Sequence, residues 1–400
     1  MRSVSLRGQA LAGETVFATM SRLAKELDAV NLGQGFPETP GPVIAIEAAV
    51  RALRAGHNQY APAGGVPVLR QRVAQLWEPR LGRELDPLAN VTVTVGATEA
   101  IAAACLAWLE PGDEVIVFEP SYDAYLWAAR LAGARPIAVP LVFGETLAVD
   151  ADRLASSITP RTKAIIVNSP HNPSGGLLGE ADLKAIAALA LEHDLRVLAD
   201  EVYEYLVYEG EHRSIATVEG MAERTVVVSS AAKTFGVTGW KVGWAIGDAA
   251  RVAELRAVAQ YLTYAGATPL QLAVAEALAG IEQIVPLVRE PLRRQRDLLA
   301  AGLAGLGFSL IPSHAGYFLL SDLGPLQAAT SHEASQLLAH SARVVTIPIE
   351  PFYVDPARAP RLLRWSFARG PETLREAIAR TRRVLERGLR SRGPSSPLLS

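Results

Sequence analysis

The sequence predicts an α/β protein in two parts, a large domain with a mostly parallel sheet flanked by helices and a smaller α/β C-terminal domain. Three observations predict it. From Val91 onward, short β-branched runs alternate with longer helical patterns, as strand–helix–strand units require. After about residue 280 that alternation gives way to a long arginine-bearing helical stretch and shorter strand-like runs. At 400 residues, the chain also exceeds what one simple core accommodates.

Residues 14–27 space Val16, Met20, Leu23 and Leu27 at three- and four-residue intervals, so an amphipathic helix is expected there. The segment 33–42 holds three glycines and three prolines, which makes it a turn-rich loop. Strands are expected at 91–95, 115–118, 136–139, 164–167, 196–199 and 225–228, with helices over 98–109, 121–132 and 180–193 between them. Further strand-like runs at 308–311, 317–320, 344–347 and 362–367 precede a closing helix over 372–390, with Leu374, Ile378, Leu385 and Leu389 on one side. The expected boundaries put an N-terminal arm and part of the small domain in 1–40, the large domain in 41–280 and the small domain in 281–392. A Pro/Ser-rich disordered tail is expected at 393–400.

Composition excludes several classes. The formal net charge of -2 gives no electrostatic footprint for nucleic acid or an anionic membrane. The arginines between Arg361 and Arg392 are interleaved with acids and read as a solvated helix face. A single cysteine, Cys105, sits in an apolar run, which fits a core residue in a reducing compartment. Neither a secretory signal nor a run of about 18 apolar residues is visible, so a cytoplasmic protein is expected. The seven histidines show no metal-ligand spacing.

In an open α/β sheet, ligands sit outside the carboxyl ends of the strands, so the residues that follow each strand carry the chemistry. After 91–95 comes Gly96-Ala97-Thr98, opening a helix whose N–H groups suit a phosphate. After 164–167 comes Asn168-Ser-Pro-His-Asn172, and after 196–199 comes Asp200-Glu-Val-Tyr203. After 225–228 comes Ser229-Ser-Ala-Ala-Lys233, with Lys241 eight residues beyond. A carboxylate, an amide, a phenol, hydroxyls and two lysines thus face one sheet edge. Pyridoxal phosphate needs this inventory: an amine for its aldehyde, an acid for its pyridine nitrogen, and N–H groups, hydroxyls and cations for its phosphate. Lys233 is the candidate amine, forming a Schiff base, and Asp200 the candidate pyridinium partner. Asn172 and Tyr203 are candidates for the phenolic oxygen, and Ser230, Lys241 and the 96–98 turn, with Ala97 and Thr98, for the phosphate.

The runs Asn31-Leu-Gly-Gln-Gly-Phe-Pro37, Asn58-Gln-Tyr60, Thr94-Val-Gly-Ala-Thr-Glu-Ala100, Asp200-Glu-Val-Tyr203, Ser229-Ser-Ala-Ala-Lys-Thr-Phe235 and Thr238-Gly-Trp-Lys-Val-Gly243 resemble those of class I aminotransferases of PLP fold type I. Within that class the chain is most similar to the kynurenine, glutamine and methionine aminotransferase group, over about residues 14–385. Bacterial N-succinyldiaminopimelate aminotransferases resemble it too, through Ser169-Pro-His-Asn-Pro173 and Gln260-Tyr-Leu262. The resemblance implies that Tyr122 stacks on the pyridine ring and that Tyr60 reaches the phosphate of a neighbouring subunit in a homodimer. It implies that Arg364 grips the substrate α-carboxylate, with Gly35 against the same group, and that Phe17, Tyr264 and Phe352 are aromatic pocket positions. Ala265 departs from the kynurenine enzymes, where histidine stands.

The resemblance further implies ping-pong transamination between an α-amino acid and a 2-oxo acid, with Lys233 as the proton carrier. A C–S β-lyase of the same lineage would use the same lysine, aspartate and arginine. The S-x-x-K reading of Ser230-Ala-Ala-Lys233 as a penicillin-binding nucleophile lacks the accompanying S-D-N and K-T-G motifs.

Overall fold

The computed structural model describes residues 15–390, so the tail expected at 393–400 lies outside the described residues. An eight-stranded sheet dominates. Its strand order is Val91–Val95, Val242–Gly247, Thr225–Ser230, Arg196–Asp200, Thr162–Asn168, Glu114–Glu119, Arg135–Phe143 and Leu147–Val149. The pairings from Thr225–Ser230 through Arg135–Phe143 are parallel. Every residue of Glu114–Glu119 and of Thr225–Ser230 is buried, as expected of strands covered on both faces. The family-independent expectation of a mostly parallel sheet with flanking helices therefore describes the molecule.

Two strands of this sheet escape the sequence pattern: the three-residue edge strand Leu147–Val149, too short to show a period, and Val242–Gly247. Val242–Gly247 runs antiparallel between Val91–Val95 and Thr225–Ser230. Its two glycines weaken any strand propensity, and its burial on both faces removes the period-2 signal. The inserted strand has a consequence for chemistry. Because it runs the other way, its amino end, and Lys241 before it, lies at the edge where its neighbours Val91–Val95 and Thr225–Ser230 end.

Helices Gly96–Trp108, Asp123–Leu131 and Glu180–Glu192 follow their strands close to the expected bounds. Cys105 is buried in the first of them, and burial pushes its thiol up to about 12, which makes it inert core.

The chain divides into two compact units. Among the described residues, the first comprises Thr39–Pro291 and His314–Gly316, and the second comprises 15–38, Leu292–Ser313 and 317–390. The second unit holds a four-stranded antiparallel sheet ordered Leu310–Ile311, Phe318–Ser321, Leu363–Ser366, Ile347–Pro348. A parallel pair, Val30–Asn31 with Val344–Val345, ties the N-terminal arm into it. The arm's helix, Val16–Glu26, is capped by the Thr15 side chain, which accepts from Ala18 N, and buries Met20 and Ala24. Leu374, Ala377 and Ile378 bury one face of the closing helix Pro371–Arg390.

Candidate active site

In the first unit the chemistry-bearing residues stand at the carboxyl ends of the parallel strands. Asp200 closes Arg196–Asp200 and is 3% exposed. Its Oδ2 accepts a 2.7 Å hydrogen bond from the Tyr125 hydroxyl, and its Oδ1 accepts one from Val202 N at 3.2 Å. Burial raises the Asp200 carboxyl to about 6, opposed by those two hydrogen bonds and by the charge of Lys233. Desolvation is the largest of these effects, so a cation placed against Asp200 would favour its ionised form.

Lys233 lies on the short helix Ala231–Thr234 after Thr225–Ser230, half-buried, with its Nζ 5.6 Å from the centre of the buried Tyr203 ring. Ser230 is buried at the end of that strand. Lys241 adopts a left-handed backbone (φ +54), a strained conformation of the kind that collects at functional sites. Its Nζ lies 3.1 Å from where a Cβ on Gly96 would stand. Gly96 opens Gly96–Trp108 at φ +73, and a Cβ on Gly243 would come 2.5 Å from the Gly96 carbonyl carbon and 2.7 Å from Ala97 N. Two glycine backbones in close approach, the helix N-terminus at half-buried Ala97 and exposed Thr98, and an ammonium beside them make a cradle suited to a phosphate.

Asn172 and Tyr122 come from neighbouring strand ends. The Asn172 N–H donates to Asn168 Oδ1 at 2.9 Å, and Asn168 Nδ2 donates to Asp200 O at 2.9 Å. Tyr122 meets Tyr125 edge to face, with ring centres 5.7 Å apart. Between these loops lies His171, buried, with Nε2 2.9 Å from Pro120 O and Nδ1 2.7 Å from Ser174 Oγ. Burial lowers its pKa to about 4, so it is neutral near pH 7. A carbonyl only accepts, which assigns the ring proton to Nε2, and Nδ1 then accepts from the Ser174 hydroxyl. His171 thereby joins the loop bearing Tyr122 to the loop bearing Asn172.

In the second unit, Arg364 is 1% exposed on Leu363–Ser366, and its Nη2 donates to Gly33 O at 2.7 Å. Its guanidinium carbon lies 3.9 Å from the centre of Phe318 and 5.0 Å from those of Phe17 and Phe352. Phe17 and Phe352 meet edge to face at 6.0 Å. Gly35 lies against Phe318 as well. Arg369, grouped by sequence with the solvated arginines, proves otherwise: it is 5% exposed, and it donates to Asn31 O at 2.9 Å and to Phe36 O. The periodic charge pattern belongs to the helix beyond it, whereas Arg369 precedes that helix and is needed by the 31–38 backbone.

Tyr60 and Tyr264 pair with each other in the first unit, edge to face at 5.4 Å, and are 84% and 47% exposed. Sequence reasoning missed Tyr125, His171 and Phe318. A signal existed for Tyr125, which follows Tyr122 by three residues and shares its face of a helix start. The other two needed the fold.

The residues present suit pyridoxal phosphate: an amine at Lys233, a buried carboxylate at Asp200, and the cradle of Gly96, Gly243 and Lys241. The family model for aminotransferase class I and II matches residues 28–380. The chain is similar to the solved N-succinyldiaminopimelate aminotransferase of Mycobacterium tuberculosis, with 46% identity and a TM-score of 0.91, covering 96% of this chain and 100% of that one. It is 38% identical to the methionine aminotransferase of Escherichia coli over 93% of this chain and 96% of that protein. It is 36% identical to human kynurenine–oxoglutarate transaminase 1, over 88% and 92% of the two chains. The chain belongs to the class I and II aminotransferase family, pyridoxal-phosphate-dependent enzymes of fold type I that act on amino acids and 2-oxo acids.

Proposed function

We propose that this aminotransferase takes its amino group from a glutamine, methionine, kynurenine or aromatic-type α-amino acid and delivers it to a 2-oxo acid through Lys233. The observation that carries the reading is the convergence of Lys233, Asp200 with Tyr125, and the Lys241–Gly96 cradle at one edge of one sheet. Bound pyridoxal phosphate supplies an electron sink for the electrons left at the substrate Cα. Lys233 Nζ would tether the cofactor and, as a free amine, would take the proton from the donor Cα. Asp200 holds a proton on the pyridine nitrogen, and Tyr122 stacks on the ring. Asn172 and Tyr203 hydrogen-bond the phenolic oxygen. Lys241, Ser230, Ala97 N–H and Thr98 would hold the phosphate and so anchor the cofactor independently of Lys233. Arg364 binds the α-carboxylate, with the backbone of Gly35 beside it and Phe17, Tyr264 and Phe352 as aromatic pocket walls.

A second reading, N-succinyldiaminopimelate as the amino compound, is favoured by the 46% identity to the Mycobacterium tuberculosis protein of that name. We further propose a cytoplasmic homodimer. The support is a lone buried thiol and the exposed Tyr60–Tyr264 pair, which suits a subunit contact.

The experiment is an absorption spectrum of the holoenzyme before and after single amino compounds, without any oxo acid. Conversion of the bound cofactor's visible band to a shorter-wavelength amine-like band by methionine, glutamine or kynurenine supports the main reading. Conversion by N-succinyldiaminopimelate alone supports the second. Lys233→Ala should bind cofactor yet turn over at least ~10⁴-fold more slowly, as expected when proton transfer and tethering are both lost.

A further inference from the structure

We propose that Phe318 is a positioning residue for carboxylate binding: its ring holds the Arg364 guanidinium against the Gly33–Gly35 backbone. The proposal rests on the reading of Arg364 as the carboxylate-binding group.

The placement begins with strand register. Phe318–Ser321 pairs antiparallel with Leu363–Ser366, and Leu320 stands opposite Arg364. Phe318 is two residues from Leu320, so it shares that face and becomes the diagonal neighbour of Arg364. The guanidinium carbon lies 3.9 Å from the ring centre, a stacking distance. The same ring reaches the glycine loop: a Cβ on Gly35 would come 2.5 Å from Phe318 Cζ, so only glycine fits there. Gly33 O meanwhile accepts from Arg364 Nη2 at 2.7 Å. Phe318 is itself held, since Ser313 Oγ donates to its carbonyl at 2.8 Å and Tyr317 packs edge to face on its ring.

Three consequences follow for a carboxylate. The arginine, a side chain with large rotamer entropy, is already ordered before ligand arrives. Its buried face is shielded from water by an aromatic surface, which strengthens a charge pair formed at the other edge. The Gly35 backbone can lie close to the same ligand because Phe318 fills the space that a side chain there would need.

The test is a double-mutant cycle on the holoenzyme, reading KM and kcat for the best donor of the spectroscopic panel, with the cofactor dissociation constant as a control. Phe318→Leu keeps an apolar side chain but removes the π face, and Phe318→Met is the second variant should leucine fold poorly. Expected is a KM rise of about tenfold with kcat within about threefold, the scale of one desolvated cation–π contact. In the Arg364→Ala background the same change should add nothing, because its effect passes through Arg364. An equal KM rise in both backgrounds, or a weakened cofactor dissociation constant, makes Phe318 a general packing residue and overturns the proposal. If Arg364→Ala itself leaves KM unchanged, the reading of Arg364 is what fails.

Discussion

The Tyr125 hydroxyl donates a 2.7 Å hydrogen bond to Asp200 Oδ2 across 75 residues of sequence. Asp200 is buried, and without donors its carboxyl would rise further above the ordinary range. Tyr125 therefore does for Asp200 what bulk water does for an exposed carboxylate. Its own hydroxyl is pushed well above the usual tyrosine value, chiefly by burial, so it remains a donor throughout the working pH range.

Tyr125→Phe removes that donor. The Asp200 carboxyl should titrate higher, and the acid limb of the kcat/KM profile should move to higher pH by about one unit, the value of one buried hydrogen bond. A pH–rate profile from pH 5 to 9 checks it, and an unmoved acid limb would show that Asp200 does not depend on Tyr125.

Asp200→Asn tests the same carboxylate through stability. Its folded pKa, about 6, lies above the ordinary value of 3.8, so ionised Asp200 destabilises the cofactor-free fold above about pH 6. That penalty fades as pH falls and is gone below about 4. Cofactor-free Asp200→Asn should therefore be more stable than wild type at pH 8, by roughly 1–3 kcal/mol, and converge with it near pH 4. Denaturant titration at both pH values reads this, while turnover of the loaded variant should fall by at least ~10²-fold.

His171 has the opposite sign. Its folded pKa of about 4 lies below the ordinary 6.5, so unfolded chains take up a proton that the fold refuses. Stability from this group is present above about pH 6.5 and is lost as pH falls toward 4. His171→Gln should flatten that slope, removing up to roughly 3 kcal/mol of acid sensitivity in the window. It should also weaken cofactor binding, because the Pro120 and Ser174 contacts that join the Tyr122 and Asn172 loops are altered. Equal slopes in the two proteins would contradict the buried neutral assignment.

Two buried arginines of the second unit should separate cleanly. Arg364→Lys should raise donor KM by about 30-fold or more, since lysine lacks the planar fork. Arg369 donates to the Asn31 and Phe36 carbonyls, so Arg369→Lys should lower the melting temperature while leaving donor KM within about threefold. Steady-state kinetics beside thermal melts distinguishes them, and the reverse pattern would exchange the two roles.

By itself, the sequence determined the alternation of strands and helices, the strand ends where chemistry collects, and the run of residues around Lys233, because these are encoded within a few turns or a single strand. It also placed Arg364 among apolar neighbours on a strand. Only the tertiary structure decided which residues support them. Val242–Gly247 enters the sheet antiparallel and brings Lys241 to Gly96, a result of register that no local period carries. Arg364 reaches Gly33 across 331 residues, and Phe318 stacks beneath it through a diagonal in the sheet. Such contacts depend on which strands become neighbours. Local propensity sets the elements, but the pairing of distant strands and the burial it imposes set the distances, the desolvation and hence the pKa of Asp200.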